Sequence, residues 1–160
     1  MIDAHEFKAA MRLFASGITV LTWKGADTPV QGITVSAFSS LSLHPPLVLF
    51  CIDQDAYIYP ELCEQKTLII NILAEGQTDL AYQFASGDRS QLEEHLSTAN
   101  NAALPMLKNA QANLVVNIVN RLAQGDHDIF IAEIQESHIY PERGPLLYYN
   151  SRIFHKDAAH

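Results

Sequence analysis

The sequence predicts a mainly β, α+β fold, an antiparallel barrel or sandwich with helices packed outside it. Three observations lead there. About seven short stretches alternate apolar with polar residues or run apolar throughout, with few helical stretches between them. The repeating βαβ pattern of a doubly wound parallel sheet is missing. Turn-forming pairs, among them Gly125-Asp126, Gly144-Pro145 and Asn150-Ser151, divide the later stretches.

The elements follow in order. Residues Asp3–Ser16 read as a helix, with Asp3 as N-cap and Glu6 at capping-box spacing. Phe7, Ala10, Met11 and Phe14 recur at i, i+3, i+4, i+7 and give it one apolar face, and Gly17 suits its C′ position. Ile18–Trp23 and Val30–Phe38 read as two strands of a hairpin about a turn holding Gly25, Asp27 and Pro29. A hydroxyl-rich loop follows, with Ser36, Ser39, Ser40 and Ser42 ahead of Pro45-Pro46, and then the apolar strand Leu47–Ile52. Such a loop can offer several O–H and N–H donors to a phosphate or a polar ring.

Asp53–Lys66 holds a short helix whose start is limited by Pro60. Thr67–Leu73 is a strand rich in β-branched residues. Thr78–Ser86 is a helix with Leu80, Ala81, Phe84 and Ala85 on one face and Gly87 at its end. Asp88–Ala103 is polar and carries no clear period. Leu104–Leu107 is a short apolar segment. Asn113–Leu122 and Asp128–His138 read as long strands about the Gly125-Asp126 turn, with Phe130, Ala132 and Ile134 facing away from Ile129, Ile131 and Glu133. Leu146–Tyr149 and Arg152–His155 are the last two strands.

The chain has 160 residues, 48% hydrophobic and 18% charged, so one globular domain over residues 1–160 is expected. A net charge of −8 disfavours nucleic acid and anionic membrane as default partners, yet leaves room for a local anion site. Cys51 and Cys63 form no C-x-x-C pair and read as reduced. With charged residues in the first six positions and no long apolar run, a cytoplasmic location is expected.

Several chemistries have no signature here. The isolated glycines form neither G-x-G-x-x-G nor a P-loop, and there is no H-E-x-x-H or G-x-S-x-G. The histidines lack ligand-like spacing, so no metal is expected. Three segments remain as candidates beside the serine loop. Gly125-Asp126-His127-Asp128 presents an imidazole at the start of a strand, able to donate a hydrogen bond or shuttle a proton. Pro145 to Arg152 offers Tyr148, Tyr149 and Arg152 as stacking surface and fixed charge. Arg89, beyond the Thr78–Ser86 helix, is a candidate phosphate partner.

These segments together resemble the short-chain flavin reductase family, whose fold is the FMN-binding split barrel. Phe7, Ala10, Met11, Phe14, Ala15 and Gly17-Ile18-Thr19-Val20-Leu21-Thr22 match its N-terminal pattern. Gly32 to Pro46 matches G-x-T-V-S-x-F-x-S-x-S-x-x-P-P. Cys51-Ile52-Asp53, Asn71-Ile72-Leu73, Leu80-Ala81 with Phe84-Ala85, the Gly-Asp-His and Pro-Leu-Leu-Tyr-Tyr complete the set in order over nearly the whole chain.

The resemblance implies an antiparallel split β-barrel of Greek-key type with flanking helices, and a homodimer with flavin near the subunit interface. It implies an NAD(P)H-dependent flavin reductase that takes hydride from NADH (or NADPH) to FMN (or FAD) and supplies a partner flavin-dependent monooxygenase. Thr34, Val35, Ser36 and Ala37 would lie along the flavin ring and ribityl chain, and Ser40, Leu41 and Ser42 would approach its phosphate. Cys51, Ile52 and Asp53 would border the ring through their backbone, and Phe84, Ala85, Ser86 and Arg89 would close the phosphate side. His127 would position the nicotinamide, with Tyr148, Tyr149 and Arg152 as looser candidates. Asp128 stands where many relatives carry threonine; a carboxylate there would disfavour a nearby phosphate and so favour NADH. A non-catalytic FMN-binding electron carrier on the same fold is the alternative, and a pyridoxamine-phosphate or haem-handling relative would show more basic residues.

Overall fold

The computed structural model describes residues 1–99 and 103–155. The helices are α1 (Ala4–Met11), α2 (Tyr59–Cys63) and α3 (Thr78–Ser86), with a 3₁₀ turn at Glu93–His95. The strands are β1 (Ser16–Gly17), β2 (Thr19–Trp23), β3 (Gln31–Val35), β4 (Phe38–Ser42), β5 (Leu47–Asp53) and β6 (Thr67–Ile72). After them come β7 (Leu96–Thr98), β8 (Pro105–Leu107), β9 (Ala112–Gln124), β10 (His127–Ile139), β11 (Leu146–Tyr149) and β12 (Arg152–His155). Residues 100–102, inside the stretch that reads as polar and aperiodic, lie outside the described residues.

Seven strands form one antiparallel sheet in the order β3-β2-β6-β9-β10-β5-β4. Its two outermost strands, β3 and β4, are consecutive in the chain and joined by Ser36-Ala37 alone. A twisted sheet whose two edges are linked by so short a connection must roll until those edges meet. No ladder joins β3 to β4, so the roll stays open along that seam. β1, β11 and β12 form a separate three-stranded sheet, and β7-β8 a two-stranded ribbon.

The burial pattern explains the strand sequences. β5 and β10 alternate, with Val48, Phe50, Ile52, Phe130 and Ala132 pointing inward. Phe50 and Phe130 face each other in register and stack, ring centroids 5.2 Å apart. All five residues of β2 are buried, because Leu21 and Trp23 enter the inner core while Val20 meets α3 and Leu73 on the outside. The ribbon β7-β8 covers Ile69 and Val115 on the outer face of β6 and β9.

Three elements depart from the sequence reading. The first helix stops at Met11 rather than Ser16, although Asp3 does cap it through the Glu6 N–H at 2.8 Å. Arg12 then gives its carbonyl to the Asn150 N–H, and Ser16-Gly17 pairs with β11, so tertiary pairing takes residues that helical periodicity claims. None of α1 is buried; Phe7 and Met11 on it, and Phe14 just beyond it, are exposed. Second, the serine stretch is not a loop. Phe38–Ser42 is edge strand β4, paired with β5 through a bulge between Ser40 and Ser42. Third, the β9-β10 hairpin is longer than expected at both ends. By contrast, α3 runs over Thr78–Ser86 as read, ended by Gly87 in the left-handed conformation at φ +80°. No helix among the described residues is long and apolar enough to cross a membrane.

Candidate functional site

The seam between β3 and β4 is where the chain opens cavities. Ser36 and Ala37 sit outside the sheet ladders, and Ala37 gives its carbonyl to the Cys51 N–H at 3.0 Å. Among the described residues, the Ser36 and Ala37 N–H groups donate to no protein acceptor. Three cavities meet at Ser36. One of about 220 Å³ lies at the ends of β3 and β5, closed by His127. One of about 630 Å³ lies between α1 and the β4-β5 pair. One of about 240 Å³ lies between β3, α3 and the β11-β12 turn. The first two share Ser36, Ala37 and Cys51; the last two share Ser36, Tyr148 and Ser151. They make one furrow of the size small-molecule sites have.

Most of the residues singled out by sequence come together here. Thr34, Val35, Ser36, Ala37, Cys51, Ile52, Asp53 and His127 line the 220 Å³ cavity. Register puts them there: β5 and β10 pair Asp53 with His127, so the end of one strand and the start of the next share an edge. Ala85 and Tyr148 reach the furrow through the third cavity. Thr34 spends its hydroxyl proton on the Ala81 carbonyl at 2.6 Å, which fixes β3 to α3 and leaves the oxygen lone pairs as acceptors.

Others lie elsewhere. Ser40, Leu41 and Ser42 are exposed on β4 and line none of these cavities; their neighbours Phe38 and Ser39 do. Phe84 is buried behind Gly32, where a Cβ would run into the Leu21 carbonyl and the Phe84 ring. Ser86 donates to the Gln83 carbonyl at 3.0 Å. Tyr149 and Arg152 are exposed on the β11-β12 hairpin.

Arg89 is committed to the protein. Its Nε donates to Gln31 Oε1 at 2.9 Å and its terminal nitrogens to the carbonyls of Gly32 and Asp88 and to the Tyr57 hydroxyl. The guanidinium lies over the Phe84 ring, 4.9 Å from its centroid. Burial pushes its pKa down from the usual arginine value. Gln31 and Trp23 both donate to Glu61, which ties this cluster to α2.

The electrostatics of the furrow separate its acids. His127 Nδ1 lies 2.8 Å from Asp126 Oδ1, and that contact holds the Asp126 carboxyl below its usual range. Its Nε2 has no partner within the protein among the described residues. The Asp128 side chain points to the opposite face of β10. It is buried, accepts from the Tyr59 hydroxyl at 2.6 Å and from Gln54 Nε2 at 2.7 Å, and faces Arg121 Nε at 3.4 Å. Its carboxyl is held low by those two donors, and the Tyr59 phenol is raised in turn. Asp128 therefore lines none of the cavities, and the electrostatic route from it to a preference for NADH is closed. The acid that does face the furrow is Asp53, whose oxygen accepts the Asp55 N–H at 2.9 Å. Burial raises the Cys51 thiol, so it is protonated at neutral pH and is not poised as a nucleophile.

Sequence reasoning missed Lys8 of α1 and Arg12, its C-cap, which line the 630 Å³ cavity with Leu49 and Ser151. Their i, i+4 spacing is the one signal the sequence carries for them. Among the described residues there is no cluster of His, Cys, Asp and Glu able to hold a metal.

Comparison with known proteins bears on what this furrow binds. The chain matches the flavin reductase like domain over residues 11–156. The reductase component of a 4-nitrophenol 4-monooxygenase/4-nitrocatechol 2-monooxygenase of Rhodococcus opacus is 34% identical, the alignment covering 96% of this chain and 82% of that one. An NADH:FMN oxidoreductase of Rhodococcus qingshengii is 32% identical, with 96% and 82% covered. Among solved structures, an NADH:FAD oxidoreductase of Streptomyces globisporus in complex with NAD and FAD fragments superposes with a TM-score of 0.87, at 30% identity, covering 98% of this chain and 95% of that one.

Proposed function

The chain belongs to the flavin reductase like family, and from that premise we propose that it is an NADH-dependent flavin reductase, one domain over residues 1–160, acting on FMN or FAD. The convergence at Ser36 carries this reading. One furrow there combines a partly apolar lining, two unengaged backbone N–H donors and a histidine whose Nε2 is unpartnered among the described residues. That donor set fits a flavin, whose ring edge presents carbonyls and ring nitrogens as acceptors and whose face is apolar.

When bound, flavin supplies the site that accepts hydride and passes reducing equivalents on. The protein's part is placement. Ala37 and the backbone of Val35 and Ile52 would border the ring, and the Ser36 and Ala37 N–H groups would donate to its polar edge. Thr34 is held by Ala81, so the wall stays rigid as two planar groups are stacked against it. His127, fixed at Nδ1 by Asp126, offers Nε2 to the carboxamide or diphosphate of the nicotinamide dinucleotide. No side chain would be needed as an acid or base, because the bound flavin and dinucleotide would supply the redox chemistry themselves. Ser40, Leu41, Ser42, Phe84, Ala85, Ser86, Arg89 and Tyr148 complete the family's set, and of these Ala85 and Tyr148 reach the furrow in the single chain.

The reading includes a homodimer and a flavin-dependent monooxygenase as recipient of reduced flavin, in line with the names of the related reductase components. The test is aerobic oxidation of NADH or NADPH by the purified protein with FMN or FAD. Turnover with NADH and either flavin is the expected result. A protein that binds flavin yet turns over neither dinucleotide is an electron carrier, and one that binds no flavin overturns the reading altogether.

A further inference from the structure

We infer that Lys8 and Arg12 form a phosphate-recognising rim on the furrow, which takes the anionic end of the flavin or of the nicotinamide dinucleotide. The inference rests on the reductase reading and adds a pair of binding residues to it.

The furrow is polar in charge along its length. The 630 Å³ end is lined by Lys8 and Arg12 and by no carboxylate, in a chain with 18 acidic residues against 10 basic ones. The 220 Å³ end carries Asp53 and His127. The two ends join at Ser36, Ala37 and Cys51. A ligand made of a neutral ring and an anionic tail is therefore oriented, ring toward the seam and tail toward α1, because the reverse places phosphate beside Asp53.

Among the described residues, Lys8 and Arg12 are the lysines and arginines that line the three cavities. Arg89 has its donors occupied by Gln31, Gly32, Asp88 and Tyr57 and lines none of them. Lys8 and Arg12 stand one helical turn apart, so both reach the same side of α1, and neither is in an ion pair among the described residues. The backbone bond from Asn150 to the Arg12 carbonyl fixes that end of the helix to the β11-β12 turn, which also borders the cavity through Ser151.

Three ligands of graded charge read the rim: riboflavin, FMN and FAD, titrated against the wild type and the double variant Lys8→Gln/Arg12→Gln. FMN affinity should fall by about 5-fold while riboflavin affinity moves by less than about 2-fold, the scale expected of two exposed charges. The FMN effect should also shrink in high salt. If the riboflavin-to-FMN ratio is unchanged but KM for NADH rises by a similar factor at saturating flavin, the phosphate on the rim belongs to the dinucleotide. Equal losses for riboflavin and FMN, or no change in either ratio or KM, overturn the inference. Lys66→Gln, an exposed charge away from the furrow, is the control for net charge. A wild type that binds no flavin and oxidises no NADH sinks the reductase reading itself; a working wild type with an indifferent double variant sinks the rim alone.

Discussion

His127 and Asp128 are adjacent in sequence and opposite in role, since successive residues of a strand face opposite sides. His127 faces the furrow with Nε2 unengaged; Asp128 faces inward and is locked by Tyr59 and Gln54. His127→Ala should raise KM for NADH by about 5–20-fold, the range of one lost hydrogen bond to a charged or strongly polar group, and leave the flavin dissociation constant within about 2-fold. Steady-state kinetics with a parallel flavin titration checks it; a larger effect on flavin moves His127 to the flavin side. Asp128 gives a pH signature instead. Its folded-state pKa is depressed by its donors, so its contribution to stability is complete above the ordinary carboxylate pKa of about 3.9 and is lost as pH falls below it. Tyr59→Phe removes the larger of those donors. Its melting temperature should lie below wild type at neutral pH, and the gap should narrow from about pH 5 to about pH 3. A gap that widens on acidification contradicts the assignment. The sequence showed both residues but not their sides: an acid beside a histidine suggests a shared site until strand register separates them.

The elements that were legible are those whose local signals agree with their tertiary setting. The α3 helix has a periodic apolar face, a glycine at C′ and a groove to fill, and it runs where the pattern puts it. The α1 helix and β4 strand were misread because long-range pairing decided them. Ser16-Gly17 is drawn into β1, and three of the four serines that look like a loop, Ser39, Ser40 and Ser42, lie on the strand that pairs along the edge of β5. Asn71 shows the same limit from the other side: it was noted as part of a motif, and its work is structural. Its Oδ1 accepts from the Leu107 N–H at 3.0 Å and from Asn113 Nδ2 at 2.8 Å, and its Nδ2 donates to Val20 and Thr22, so it pins the β7-β8 ribbon to the sheet. Asn71→Ala leaves buried groups unpaired and should cost about 2–5 kcal/mol in urea unfolding, at roughly 1–3 kcal/mol for each orphaned partner. Gly32→Ala acts between β3 and α3, where a methyl group meets the Leu21 carbonyl and the Phe84 ring. About 1–3 kcal/mol of overpacking is expected, together with weaker flavin binding as the Thr34–Ala37 wall shifts. A variant as stable as wild type would mean that β3 can move away from α3 freely.

At the scale of the whole molecule, the furrow exists because the two unpaired edges of one sheet, β3 and β4, are joined by a link two residues long. Strand periodicity cannot show that, because it depends on which strands end up outermost. The same sheet leaves the β4 edge uncovered, and Leu41 on it and Leu43 just past it, like Phe14 after α1, are exposed large apolar side chains. An exposed sheet edge beside apolar side chains is a surface that pairing with a second copy would remove from water. The homodimer in the proposed function therefore makes a joint prediction about mass and affinity. Sedimentation at micromolar concentration should give twice the 17.8 kDa of one chain, and Leu43→Asp should shift it toward the monomer. Ser40 and Ser42 line none of the three cavities of the furrow, so in the proposed homodimer they would touch flavin across the partner. Ser40→Ala/Ser42→Ala should weaken flavin binding by about 3–10-fold in the dimer, the scale of one or two lost hydrogen bonds. In the Leu43→Asp background the same pair should have no further effect. If the serine pair weakens flavin binding equally in monomer and dimer, the β4 edge reaches the ligand within one chain. If it has no effect in either, the serines serve β4 as a polar edge and the flavin is held by the Ser36-Ala37 seam.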